Sequence, residues 1–186
     1  MSDPQTKPAI IERLREIQHD LCSAVQQIPP ADFDRGTPDA WSPASYLKHL
    51  LLAVKPFGKA VALPPDALKR RFGTAPYPSQ TYSELVARYQ TRLAEGIRAE
   101  DYDTVMPTTF RIPDDTPDLQ PYLLDLWNEA HDRMIDGLGQ WSEADLDSVA
   151  ILHPALGTLT VREMLFFTLY HNALHTNDIR TASTLA

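Results

Sequence analysis

Ile10, Leu14, Ile17, Leu21, Val25 and Ile28 recur at intervals of three or four residues through an otherwise polar stretch. That spacing allows little but an amphipathic helix with one buried face, running from about Lys7 to Ile28 and stopped by Pro29-Pro30. The same period returns along the chain. A second stripe is Tyr46, Leu47, Leu50, Leu51 and Val54. Ser42 is placed to cap this helix, Pro43 suits its first position, and Pro56 ends or bends it. Thr81 and Glu84 make a capping-box pattern that opens a third segment over 81–98, with Leu85, Tyr89, Leu93 and Ile97 on one side. A fourth spans roughly Pro121 to Leu138, with Leu124, Trp127, Met134, Ile135 and Leu138 inward. Thr160 and Glu163 repeat the capping box for a last helix to about Thr181. Residues 56–80 hold five prolines and read as a long crossover, and 101–120 read as an acidic, proline-rich loop. Seven glycines and few alternating runs leave little room for a sheet. The expectation is one all-α domain over residues 1–186, a four-helix bundle with an additional inserted helical segment in the region 56–120.

Composition narrows the function. At 43% hydrophobic residues the chain can bury a core, and a net charge of −8 argues against a phosphate-binding surface, so no nucleic acid partner is expected. The one short basic run, Lys69-Arg70-Arg71, reads as a solvated loop. The opening MSDPQTKPAI lacks a signal pattern and no apolar run reaches membrane-spanning length, which gives the expectation of a cytoplasmic protein with no membrane partner. A single cysteine, Cys22, excludes an internal disulfide framework and a multi-cysteine metal site. At the edge of the first stripe it reads as a small buried apolar group.

The segment FFTLYHNALHTNDI places His171 and His175 four apart in what otherwise reads as buried helix. On a helix that spacing stacks two imidazoles on one face, from which both can reach one divalent metal, and a third ligand must come from elsewhere. His49, at the rim of the second stripe, is the best candidate. His19 shares a solvated face with Glu12, Glu16 and Ser23, and His153 in HPALGTLT reads as a turn residue. His131 falls within the fourth stripe and should face the interior, as a fourth ligand, a substrate contact or a satisfied core histidine, the last two being favoured. Asp178, one turn beyond His175, can orient a ligand imidazole through its second nitrogen or simply complete the last turn with a charge.

The motifs WSPASYLKHL and HPALGTLTVREMLFFTLYHNALHTNDI resemble those of the DinB/YfiT-like superfamily. The resemblance implies a four-helix bundle whose metal is held by one histidine of the second helix and an H-x-x-x-H pair on the last. The matching positions are His49, His171 and His175. It also implies a metal-dependent enzyme that acts on a small-molecule substrate. The ion would be zinc or nickel by ligand type. A low-molecular-weight thiol would serve transfer or isomerisation, with Arg111 and Lys55 as rim groups for its charged portion. The alternative chemistry is a metal-dependent hydrolase with Asp178 or His131 as base. The alternative of another class is a non-enzymatic, stress-associated metal-binding protein. Relatives are often homodimers, and Phe57, Phe72, Tyr77 and Phe110 are the apolar candidates for such an interface.

Overall fold

Each stripe forms the helix that its spacing dictates. In the computed structural model, which describes residues 3–37 and 40–185, α1 spans Lys7–Gln26, with the Thr6 hydroxyl accepting from the Ala9 N–H at 3.4 Å. The expected domain span of 1–186 extends outside those described residues. Helix α2 is the short Pro30–Phe33, and α3 spans Pro43–Val61, capped as expected by Ser42, whose Oγ accepts from the Ser45 N–H at 3.1 Å. Helix α3 runs through Pro56 rather than ending there. Leu47, Leu50, Leu51, Val54, Phe57 and Val61 are all buried, and this packing outweighs the hydrogen bond that proline removes. Two shorter helices follow, α4 at Pro65–Phe72 and α5 at Tyr82–Ala94, the latter with both halves of the Thr81–Glu84 capping box formed. Three single 3₁₀ turns, at Ala99–Asp101, Asp103–Val105 and Pro107–Thr109, occupy the acidic stretch. Helix α6 covers Leu119–Gly137 and α7 Glu143–Ser148; strands β1 and β2 are Ala150–His153 and Gly157–Thr160; α8 closes the chain at Val161–Leu185. The second capping box is formed too: the Thr160 N–H donates to Glu163 Oε2 at 2.7 Å, and the Glu163 N–H to Thr160 Oγ1 at 3.1 Å.

Among the described residues the chain is mostly helical with one small two-stranded sheet. The long helices contact one another in the cyclic order α1, α6, α3, α8, each packing on two neighbours. Their apolar faces meet in a core that includes Ile10, Leu14, Leu47, Leu50, Trp127, Met134 and Leu165. Helix α5 lies against α8, the 3₁₀ turns lie against α3, and α4 touches β1, so three separate pieces of the 56–160 region wall the space beside α3 and α8. No helix of the described residues is long and apolar enough to cross a membrane.

Three sequence expectations need correction, and one helix is added. The β1–β2 hairpin, paired from Ala150↔Thr160 to His153↔Gly157, was hidden because β1 buries Ala150 and Ile151 in succession and then exposes Leu152, leaving no alternation to read. Gly157 makes its turn at φ +74°, a conformation that costs glycine nothing. Residues 65–72 are helix rather than crossover: Pro65 occupies the first turn, Leu68 is buried, and Lys69-Arg70-Arg71 sits in the last turn, where cations suit the helix dipole. Helix α7 was missed although Ser142 and Asp145 form its capping box. Phe57 is buried at 6% exposure, so it is no part of an exposed apolar surface, whereas Tyr77 is exposed.

Candidate metal centre

Helix α8 carries His171 and His175 on one face, and α3 brings His49 against them across the helix–helix contact. Each of the three rings offers a nitrogen, and these nitrogens all lie within 4.8 Å of one another. The Nε2 atoms of His49 and His171 stand 3.0 Å apart. Two imidazole lone pairs do not face each other at that distance without a proton or a cation between them. Nitrogens around a tetrahedral ion at 2.0–2.1 Å are themselves separated by about 3.3 Å. The donor set therefore fits a divalent ion.

The surroundings fix the tautomers. His49 Nδ1 is 2.8 Å from the Val105 carbonyl in the second 3₁₀ turn, so it donates there and leaves Nε2 as a lone pair. His175 Nδ1 is 2.7 Å from Asp178 Oδ2, which does the same for its Nε2. Metal-bound histidines commonly carry such partners on the second nitrogen. Aromatic rings hold the imidazoles in place: Trp41 lies 5.4 Å from His49, Tyr46 lies 5.6 Å from His175, and Phe167 stacks on His171 at 4.8 Å. Burial and then the His175 charge push His49 down to about 4, and burial with the neighbouring histidines holds His171 well below its ordinary value. Both are neutral near pH 7, the form a metal requires.

Asp178 thus lies where a hydrogen-bonding partner of His175 is needed. Asp178→Asn is expected to weaken zinc binding about 10- to 100-fold with the fold intact, measured by competition with a chromophoric chelator. Unchanged affinity would reduce Asp178 to a surface charge.

The other histidines are placed differently. His131 has no exposure; its Nδ1 donates to the Trp127 carbonyl at 3.1 Å and its Nε2 accepts from Asn172 Nδ2 at 3.2 Å, a fully satisfied core histidine. His19 is exposed. His153 does serve its turn, its Nδ1 accepting from the N–H groups of Ala155 and Leu156 at 3.1 and 3.0 Å, and its ring also packs on Phe167 at 4.2 Å.

The three histidines stand on the wall of a cavity of about 1050 Å³, roofed by the 3₁₀ turns, α4, α5 and the hairpin. Its lining is largely apolar, with Phe57, Leu68, Leu93, Ile151, Met164 and Phe167 prominent. The cations on its wall are Lys59, Arg71 and Arg98 rather than Lys55 and Arg111; the Lys55 ammonium lies over the Phe110 ring instead. No side-chain pattern signals the Val105 contact, because a backbone carbonyl makes it. Trp41 and Tyr46, by contrast, lie within the motif that carries His49.

A mostly helical protein with a three-histidine cluster, largely buried and able to hold a metal ion, is the class these observations define. The sequence profile of the DinB superfamily matches residues 13–179, and the chain belongs to that superfamily. No curated protein and no solved structure matches it significantly.

Proposed function

We propose that this protein is a cytoplasmic metal-dependent enzyme of the DinB type, its long helices forming the four-helix bundle of that family. His49, His171 and His175 would hold one zinc or nickel ion. The observation that carries this is the convergence of three imidazole nitrogens on the wall of a large cavity. An ion held by three histidines keeps positions open toward the cavity and, when bound, would acidify a thiol or a water there. The chain's own part is orientation and exclusion of water. The Val105 carbonyl and Asp178 hold two imidazoles in the ligating tautomer, and Trp41, Tyr46 and Phe167 pack the rings against solvent.

Thiol-dependent transfer or isomerisation is favoured over hydrolysis because both bases that the sequence suggests, Asp178 and His131, are engaged. Asp178 accepts from His175, and both nitrogens of His131 are bonded within the core. A general base for water would have to be within hydrogen-bond reach of it. The test uses cobalt-substituted protein: adding L-cysteine or 2-mercaptoethanol is expected to produce a sulfur-to-cobalt absorption band that His171→Ala lacks. No band with either thiol, together with ester or amide hydrolysis lost in His171→Ala, would replace this proposal with the hydrolase. Neither response would leave a non-enzymatic metal-binding protein.

A further inference from the structure

At the histidine end the cavity wall carries mixed charge: Asp178, which accepts from His175, with Glu100 and, two residues from it, Arg98, whose guanidinium donates to the Leu93 and Ile97 carbonyls. At the other end stand two cations, Lys59 near the C-terminus of α3 and Arg71 in the last turn of α4. Neither enters an ion pair among the described residues, and Arg71 lies over the Phe72 ring. Lys59 is ten residues beyond His49 on one helix, about 15 Å along its axis.

Between the two ends α3 offers the cavity a face with no charge on it. His49, Ala53, Pro56 and Ala60 all line the cavity, spaced three or four apart and therefore on one side of the helix. The mouth is apolar as well: of the exposed large hydrophobic side chains Leu63, Tyr77 and Leu152, both Leu63, at 47%, and Leu152, at 65%, line the cavity. Exposed apolar side chains on the rim of a largely apolar cavity suit the entry of an apolar ligand.

From this arrangement we infer that the substrate is an elongated amphiphilic anion, its charged terminus held at Lys59 and Arg71 and its apolar body laid along α3, with the far end delivered to the histidines. Reversed insertion would leave both Lys59 and Arg71 unmatched. The inference deepens the enzyme proposal by naming the substrate class, yet the binding it describes does not depend on the ion.

The test measures binding of dodecanoate, dodecyltrimethylammonium and butyrate to metal-free protein by displacement of anilinonaphthalene sulfonate and by calorimetry. Dodecanoate is expected to bind one per chain, at least about tenfold more tightly than either comparison ligand. The double variant Lys59→Glu/Arg71→Glu should lose the preference over the ammonium at least about fivefold. Ala60→Trp, which fills the channel, should weaken dodecanoate at least about tenfold with an unchanged melting curve. Equal binding of anion and cation, or binding indifferent to both variants, would overturn the inference. Cobalt titration of the same proteins separates the two proposals. Dodecanoate bound without cobalt would sink the metal centre alone, and cobalt bound without dodecanoate selectivity would sink the substrate class alone.

Discussion

Alanine at His171 is expected to lower zinc affinity by more than about 100-fold, beyond the loss caused by removing a partner that only orients a ligand. The ring is 4% exposed and lies between the Phe167 face and the His49 Nε2 atom, so it is central to the cluster. No neighbour can replace it. His153 has its Nδ1 committed to two backbone N–H groups, and His131 has both nitrogens bonded elsewhere. Calorimetric titration of metal-free protein checks this, with circular dichroism as the control for folding. Affinity within a few-fold of the unmodified protein would show that the ion binds somewhere else.

The second large effect lies in the core. Trp127 is fully buried on α6, its Nε1 donates to the Gln18 carbonyl of α1 at 3.3 Å, and its ring centroid lies 3.9 Å from that of His131. Its replacement by alanine leaves a cavity at the α1–α6 contact, strips the Gln18 carbonyl of a donor and loosens the His131–Asn172 link to α8. The cost is about 3–5 kcal/mol, a fall in melting temperature on the order of 10 °C. Urea unfolding measures it. Leu152→Ala, at a side chain 65% exposed, should change stability by less than about 0.5 kcal/mol in the same experiment. Equal effects from the two would contradict the assigned core.

What was legible in the sequence follows from what each element depends on. Helices α1, α3, α6 and α8 are long and amphipathic, and two of them start with side-chain signals that the structure uses: Ser42 with Pro43 for α3, Thr160 with Glu163 for α8. Such signals are local, so a reading of local spacing finds them. The His171–His175 pair was legible for the same reason, since a helix turns a fixed spacing into a shared face. Pro56 left the extent of α3 open between an end and a bend, because a proline's local penalty is set against tertiary packing that only the fold reveals. The hairpin was hidden because its strands are four residues long and buried without alternation. The cavity could not be read at all. Lys59 and Arg71 face the same space only because α3 and α4 both border it in the fold, and Val105 reaches His49 through a main-chain oxygen 56 positions away.

The central claim is that His49, His171 and His175 hold one divalent ion. The most direct measurement is the metal content, by mass spectrometry, of protein purified without a metal-chelate column, followed by X-ray absorption at the edge of the metal found. The account predicts one zinc or nickel per chain, with imidazole nitrogens in its coordination sphere at about 2.0–2.1 Å. Protein that carries no divalent metal and takes none up, or an ion whose absorption spectrum shows no imidazole scattering, would contradict it.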